Sequence, residues 1–211
     1  MIQAIIFDVD GTLWNTTDYV ADAWTRAGKE ICGIQSPVFT GEDLRREFGK
    51  PMDIIANDLF PEESKEVRER ILDLCKMYEK DVLENIQTSL LYPYVSETIR
   101  ELGKTYKIFI VSNCQSGYIP LFLKRNALED CVEDFECYGD THLSKGENIR
   151  LIMERSGIEK AVYVGDTKGD YLAAKAANIP FIFAAYGFGA VEEAKIRVNA
   201  IEEILQIVEN M

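Results

Sequence analysis

The chain has 211 residues, 47% of them apolar, enough for one sizeable domain or for one domain carrying a smaller insertion. A net charge of −13 and a pI near 4.6 exclude a binder of nucleic-acid backbones, which needs a basic stripe to displace counterions. Five cysteines form no C-x-x-C pair and stand beside one histidine, His142, so neither a zinc cluster nor a disulfide framework is indicated. No run approaches the ~20 apolar residues of a membrane span, and Asp8 and Asp10 interrupt what would be the apolar segment of a signal peptide. Reduced thiols and a cytoplasmic location are expected.

In chain order, QAIIFD (3–8) is the first of four nearly continuous apolar runs rich in β-branched and aromatic residues. The others are KIFIVS (107–112), AVYVGD (161–166) and PFIFAA (180–185). Continuity rather than alternation predicts strands covered on both faces, as in a parallel sheet. The stretch 15–90 breaks this rhythm and predicts helices instead. One begins near Thr16, and a second follows Thr40, where Thr40 and Asp43 approximate a capping box. A long one spans about Pro61 to Glu84, with Val67, Ile71, Leu74, Tyr78 and Val82 on one face. Pro93 marks the return to the sheet.

Helical spacing then recurs at Val95, Ile99 and Leu102, at Ile119, Phe122 and Leu123, and at Ile149, Ile152 and Met153. A last helix, behind an Asn199 cap, aligns Ile201, Ile204, Leu205 and Val208. The expected fold class is α/β. A doubly wound parallel sheet is built from 1–14 and 91–211, with an all-helical unit inserted over 15–90.

Ligands of parallel α/β sheets sit at the carboxyl ends of the strands, so polar residues that end apolar runs should converge. Here they are Asp8-x-Asp10-Gly11-Thr12, Ser112-Asn113 and Gly165-Asp166-Thr167-x-x-Asp170, with Lys145 opening a helix ahead of the last. Carboxylates crowded in this way repel one another unless a divalent cation lies among them, and magnesium prefers such oxygen ligands. The inventory suits phosphoryl transfer. One carboxylate can attack phosphorus, while a second, two residues on, handles the proton.

The order D-x-D-G-T, S-N, K, G-D-x-x-x-D resembles the four motifs of the haloacid dehalogenase superfamily across nearly the whole chain. The helical insertion after the first strand resembles its phosphoglycolate phosphatase-like branch. The resemblance implies a Rossmann-like core with a helical cap. It makes Asp8 the nucleophile and Asp10 the general acid/base, braced by Thr12. It has Ser112 and the Asn113 backbone hold phosphoryl oxygens, and Lys145 neutralise charge. Asp8, the Asp10 carbonyl and Asp166 would bind magnesium, with Asp170 in support, and Gly11 would let the chain turn sharply.

The implied activity is magnesium-dependent hydrolysis of a small phosphorylated metabolite through an aspartyl-phosphate, by a monomer or homodimer with no nucleic-acid or membrane partner. The alternatives are a sugar phosphomutase of the β-phosphoglucomutase kind, a pyrophosphatase or nucleotidase, and a non-catalytic binding protein on the same fold. In the helical insertion, Arg45, Arg46 and Lys50 are candidates for an anionic substrate group. Salt bridges to Glu42, Asp43 or Glu47 account for some of them equally well. Trp14 and Asn15 lead from the first strand toward the insertion and are candidates for substrate contact. Two positions depart from the family pattern: Asn15 stands where many relatives carry an acid, and Pro93-Tyr94 where Pro-Gly is common.

Overall fold

A computed structural model describes residues 1–211 as two compact units, one of residues 1–15 and 90–211, the other of 16–89. The first holds a six-stranded sheet of β1 (Ala4–Phe7), β2 (Lys107–Ser112), β3 (Asp134–Cys137), β4 (Ala161–Gly165), β5 (Phe181–Ala184) and β6 (Ile196–Val198). The strand order is β3-β2-β1-β4-β5-β6, and every pairing is parallel. This is the doubly wound α/β arrangement that the four apolar runs predict. Their strands are buried almost end to end because both sheet faces are covered.

The edge strands β3 and β6 have no counterpart in the sequence reading. DFEC alternates charge with apolar residues and IRV is three residues long, so neither carries the continuous apolar signature of a central strand.

The second unit consists of four helices: α1 (Thr17–Cys32), α2 (Gly41–Glu47), α3 (Met52–Leu59) and α4 (Lys65–Asn85). Thr40 and Asp43 do form a reciprocal capping box at the start of α2. Around Trp24, Leu44, Phe60 and Ile71 these helices close their own apolar core. Helix α4 starts at Lys65, behind a Ser64 cap, rather than near Pro61. Its buried stripe is Ile71, Leu72, Cys75, Glu79 and Leu83, rotated from the one expected. Leu74 and Tyr78 are only half-buried, since the carboxylate of Glu79 takes a core position that apolar periodicity cannot anticipate.

The remaining helices belong to the first unit: α5 (Val95–Leu102), α6 (Tyr118–Arg125), α7 (Tyr138–Thr141), α8 (Lys145–Arg155), α9 (Lys168–Ala176) and α10 (Ile204–Glu209). Ile149 and Ile152 of α8 and Ala173 and Ala174 of α9 pack on one sheet face against Phe109, Tyr163 and Phe183. Asn199 does not cap the last helix. Its amide donates to the Glu203 carboxylate at 3.0 Å, and α10 begins one turn later.

The register decides what converges at the carboxyl edge of the sheet. Phe7, the last residue of β1, lies opposite Ile110 of β2 and Val164 of β4. The residues that follow each strand therefore emerge side by side, where strand order reverses about β1, the switch point at which such sheets bind ligands. No helix is long and apolar enough to cross a membrane.

Candidate active site

Asp8 follows directly on the central strand β1, and its amide continues the ladder by donating to the Val164 carbonyl at 2.9 Å. The backbone is satisfied and the carboxylate is delivered, buried, to the sheet edge. Its Oδ2 lies 3.1 Å from Lys145 Nζ, whereas Oδ1 is buried with no hydrogen-bond partner. Burial pushes the Asp8 carboxyl up to about 6, against the pull of Lys145 and with a further push from Asp170.

Lys145 is the first residue of α8, whose start is held by a Ser144 and Glu147 capping box. A cation there opposes the helix dipole, so other charges must account for its burial. They are Asp170, 2.5 Å from Nζ, and Asp8; the Tyr163 ring centroid lies 5.9 Å from the ammonium. Burial works against the charge on Lys145, but Asp170 and Asp8 outweigh it and hold the ammonium above its ordinary pKa.

Asp166 and Asp170 come from the junction of β4 and α9. Asp170 Oδ2 accepts from the Asp166 amide at 3.2 Å, the Thr167 amide at 2.9 Å and the Thr167 hydroxyl at 2.7 Å. With Oδ1 taken by Lys145, both oxygens of Asp170 are engaged, so it acts on this geometry as the strut of Lys145 and of the α9 cap. Asp166 Oδ2 accepts from the Phe188 amide at 2.7 Å. Burial first, then Asp170 and Asp8, push the Asp166 carboxyl well above the usual carboxylate range.

Ligand oxygens of Asp8, Asp166 and Asp170 lie within 4.8 Å of one another. Three buried carboxylates against one ammonium leave an excess of negative charge that a divalent cation would neutralise. The donors are all hard oxygens, which suits magnesium, and the orphaned Asp8 Oδ1 is the atom most in need of a cation.

Two features differ from expectation. Thr12 does not brace Asp10; its hydroxyl donates to Asp166 Oδ1 at 3.4 Å. Trp14, rather than reaching for substrate, is fully buried and donates its indole N–H to Asp10 Oδ1 at 3.0 Å, with the Tyr118 hydroxyl donating to the same oxygen at 2.8 Å. Tyr118 escaped the sequence reading because it continues the apolar stripe of α6 and reads as core.

The loop after β5 is a second omission. Its Tyr186 hydroxyl donates to the Thr12 carbonyl at 2.9 Å, and a Cβ at Gly187 would fall 2.3 Å from Asp166 Cβ and from the Gly11 carbonyl. The glycines of AYGFG (184–189 reads AAYGFG) were the available signal.

Ser112 ends β2, buried, on the strand adjacent to β1, and Asn113 follows it. Cys114 is buried and its thiol is pushed well up by burial and by its contact with Cys137, as a packing residue rather than a nucleophile. Arg45 and Lys50 lie in the helical unit, each paired within it. Arg45 lies 3.6 Å from Glu42 and 3.9 Å from Asp18, and Lys50 is 2.7 Å from both Glu47 and Asp58.

The sequence pattern of haloacid dehalogenase-like hydrolases matches residues 5–184. A phosphoglycolate phosphatase of Vibrio vulnificus is 28% identical, over 98% of this chain and 96% of its own length. One of Photorhabdus laumondii is 32% identical, over 89% and 82%. Among solved structures, a protein of Haemophilus somnus described as a predicted phosphoglycolate phosphatase superposes with a TM-score of 0.85, at 21% identity and 98% coverage of both chains.

Proposed function

Since the chain belongs to the haloacid dehalogenase-like hydrolases and is a phosphatase similar to the phosphoglycolate phosphatases, we propose that it hydrolyses a small phosphoglycolate-like monoester through an aspartyl-phosphate at Asp8, with magnesium as cofactor. The observation that carries this reading is the pair of unlike oxygens on Asp8. One is balanced by Lys145 at 3.1 Å, and the other is buried and unpartnered, in a carboxyl group that clusters with Asp166 and Asp170.

In the first half-reaction an Asp8 oxygen attacks phosphorus and the bond to the leaving oxygen breaks, while Asp10 gives that oxygen its proton. In the second, water transfers a proton to Asp10 and attacks phosphorus, and the bond to Asp8 breaks to release inorganic phosphate. Ser112 and the Asn113 amide hold the phosphoryl oxygens, and Lys145 balances charge on Asp8 and the phosphoryl group. Asp8, the Asp10 carbonyl and Asp166 would hold magnesium, which when bound offsets the negative charge shared by nucleophile and phosphate. The reading assigns no step to Arg45 or Lys50.

The test is phosphate release from a panel of 2-phosphoglycolate, sugar phosphates, nucleotides and p-nitrophenyl phosphate, with and without magnesium. Hydrolysis is expected to require the metal and to vanish in Asp8→Asn. Turnover by that variant at the wild-type rate, or activity indifferent to chelation, would sink the reading.

A further inference from the structure

We propose that Tyr186 is a positioning residue of the magnesium site, closing a ring of hydrogen bonds that sets where Asp166 stands relative to the loop after β1. The inference rests on the assignment of Asp166 and the Asp10 carbonyl to magnesium above. The Tyr186 hydroxyl donates to the Thr12 carbonyl at 2.9 Å. The Thr12 hydroxyl donates to Asp166 Oδ1 at 3.4 Å, and the Phe188 amide to Asp166 Oδ2 at 2.7 Å. Tyr186 and Phe188 are joined through Gly187, so the circuit is complete. Each oxygen of Asp166 is held by a different loop, and Tyr186 ties those two loops together.

The packing around the ring leaves it little slack. A Cβ at Gly187 would fall 2.3 Å from Asp166 Cβ and from the Gly11 carbonyl, and one at Gly189 would fall 2.5 Å from the Asp166 carbonyl. Glycine at these positions lets the chain pass flat against Asp166. The loop is anchored where the Ala185 amide donates to the Val198 carbonyl of β6 at 2.8 Å, and it turns where the Gly187 amide donates to the Ala184 carbonyl at 3.1 Å. Tyr92 fixes the Tyr186 ring in turn, standing edge-on to it at a centroid distance of 5.0 Å. Its own amide donates to the Leu13 carbonyl at 3.1 Å, one residue past Thr12.

Magnesium tolerates little departure from octahedral geometry, so its ligands must be held at fixed separations. Asp166 and the Asp10 carbonyl follow different strands, and tertiary contacts rather than the local chain set the distance between them. An aspartate side chain turns about two bonds, and ordering it on binding costs affinity unless the fold has ordered it already. The ring holds Asp166 by both oxygens and fixes it to Thr12, two residues beyond Asp10. Groups that orient a metal ligand in this way change metal affinity by about 10- to 100-fold when removed.

The probe is Mn2+, which like magnesium takes oxygen ligands. Its binding to the metal-free protein is counted from the EPR signal of the free ion, and magnesium binding from its displacement. Tyr186→Phe keeps the ring that packs on Tyr92 and removes only the hydroxyl. Its dissociation constants for both ions should rise about tenfold, while kcat at saturating magnesium stays within about threefold of wild type. Thr12→Val opens the ring at its other link and should weaken both ions by a similar factor. A ring opened once is open, so the double variant should bind little more weakly than the weaker single one.

A lower thermal midpoint in Tyr186→Phe with unchanged affinity for both ions would make Tyr186 a packing residue and overturn the proposal. So would losses that multiply in the double variant, which is how independent contacts behave. Asp166→Asn separates the two levels of inference. If it weakens metal binding while Tyr186→Phe does not, Asp166 remains a ligand and the ring falls. If Asp166→Asn binds both ions as tightly as wild type, the ligand assignment itself fails and the ring with it.

Discussion

Lys145 Nζ donates to Asp170 Oδ1 at 2.5 Å, and the same ammonium reaches Asp8 Oδ2 at 3.1 Å, so one buried cation ties the end of β1 to the start of α9. Removing one partner of a buried ion pair strands the others and costs about 3–5 kcal/mol. Lys145→Met is expected to lose about that much stability in magnesium-free buffer, measured by urea unfolding, and to recover part of it when magnesium is added. Lys50→Met is the contrast. Its ion pairs with Glu47 and Asp58 lie at the surface, and its loss should cost no more than about 1 kcal/mol.

Asp8 yields a pH dependence. Its carboxyl is raised from an ordinary value near 3.8 to about 6 on folding, so the folded metal-free protein holds a proton that the unfolded chain releases. The stability contributed by this group is complete below about pH 3.8 and is lost as pH rises through 6. Relative to Asp8→Asn, wild type in a chelator should lose on the order of 3 kcal/mol between pH 4 and pH 7. Guanidinium unfolding of both proteins across that range checks it, and parallel stability curves would remove the basis for a raised Asp8.

Gly11 combines two demands. Its φ is +79°, and a Cβ there would fall 2.1 Å from Asp166 Oδ2. Gly11→Ala must therefore both strain the backbone and displace a carboxylate of the cluster, so magnesium-dependent activity should fall at least about 100-fold. Gly157, at φ +64°, has open space where its Cβ would stand. Gly157→Ala should cost about 1 kcal/mol of stability, read from the thermal midpoint, and leave kcat unchanged.

Tyr94 sits in the left-handed conformation, φ 62° and ψ 11°, ahead of α5, with its ring largely exposed. The backbone here keeps a shape that glycine adopts without strain. Tyr94→Gly is expected to stabilise by about 0.5–1 kcal/mol, the relief of strain exceeding the entropy glycine adds to the unfolded chain. A rise of a few degrees in thermal midpoint would show it.

The central strands and the polar residues that end them were legible because both are local signals. A run such as KIFIVS is apolar at every position, and Ser112 ends it within the same six residues. The capping box at Thr40 was equally local, set by two side chains three residues apart; those at Ser144 and Thr167 share that spacing but have no counterpart in the sequence reading. Where the signal was weak or mixed, reading failed: three residues of β6, alternating charge in β3, and a buried Glu79 that turns the stripe of α4.

The amino-acid sequence by itself determined a parallel α/β core and the set of chemical groups at its strand ends, because hydrophobic continuity and chain order are written in consecutive residues. Only the tertiary structure decided how those groups pair. Thr12 turned to Asp166 rather than Asp10, Asp170 closed on Lys145, and Trp14 and Tyr118, 104 positions apart in the chain, met on one oxygen of Asp10. Such pairings depend on the parallel register and on the rotation of α6 and α8 about their own axes, and no single stretch of sequence carries either.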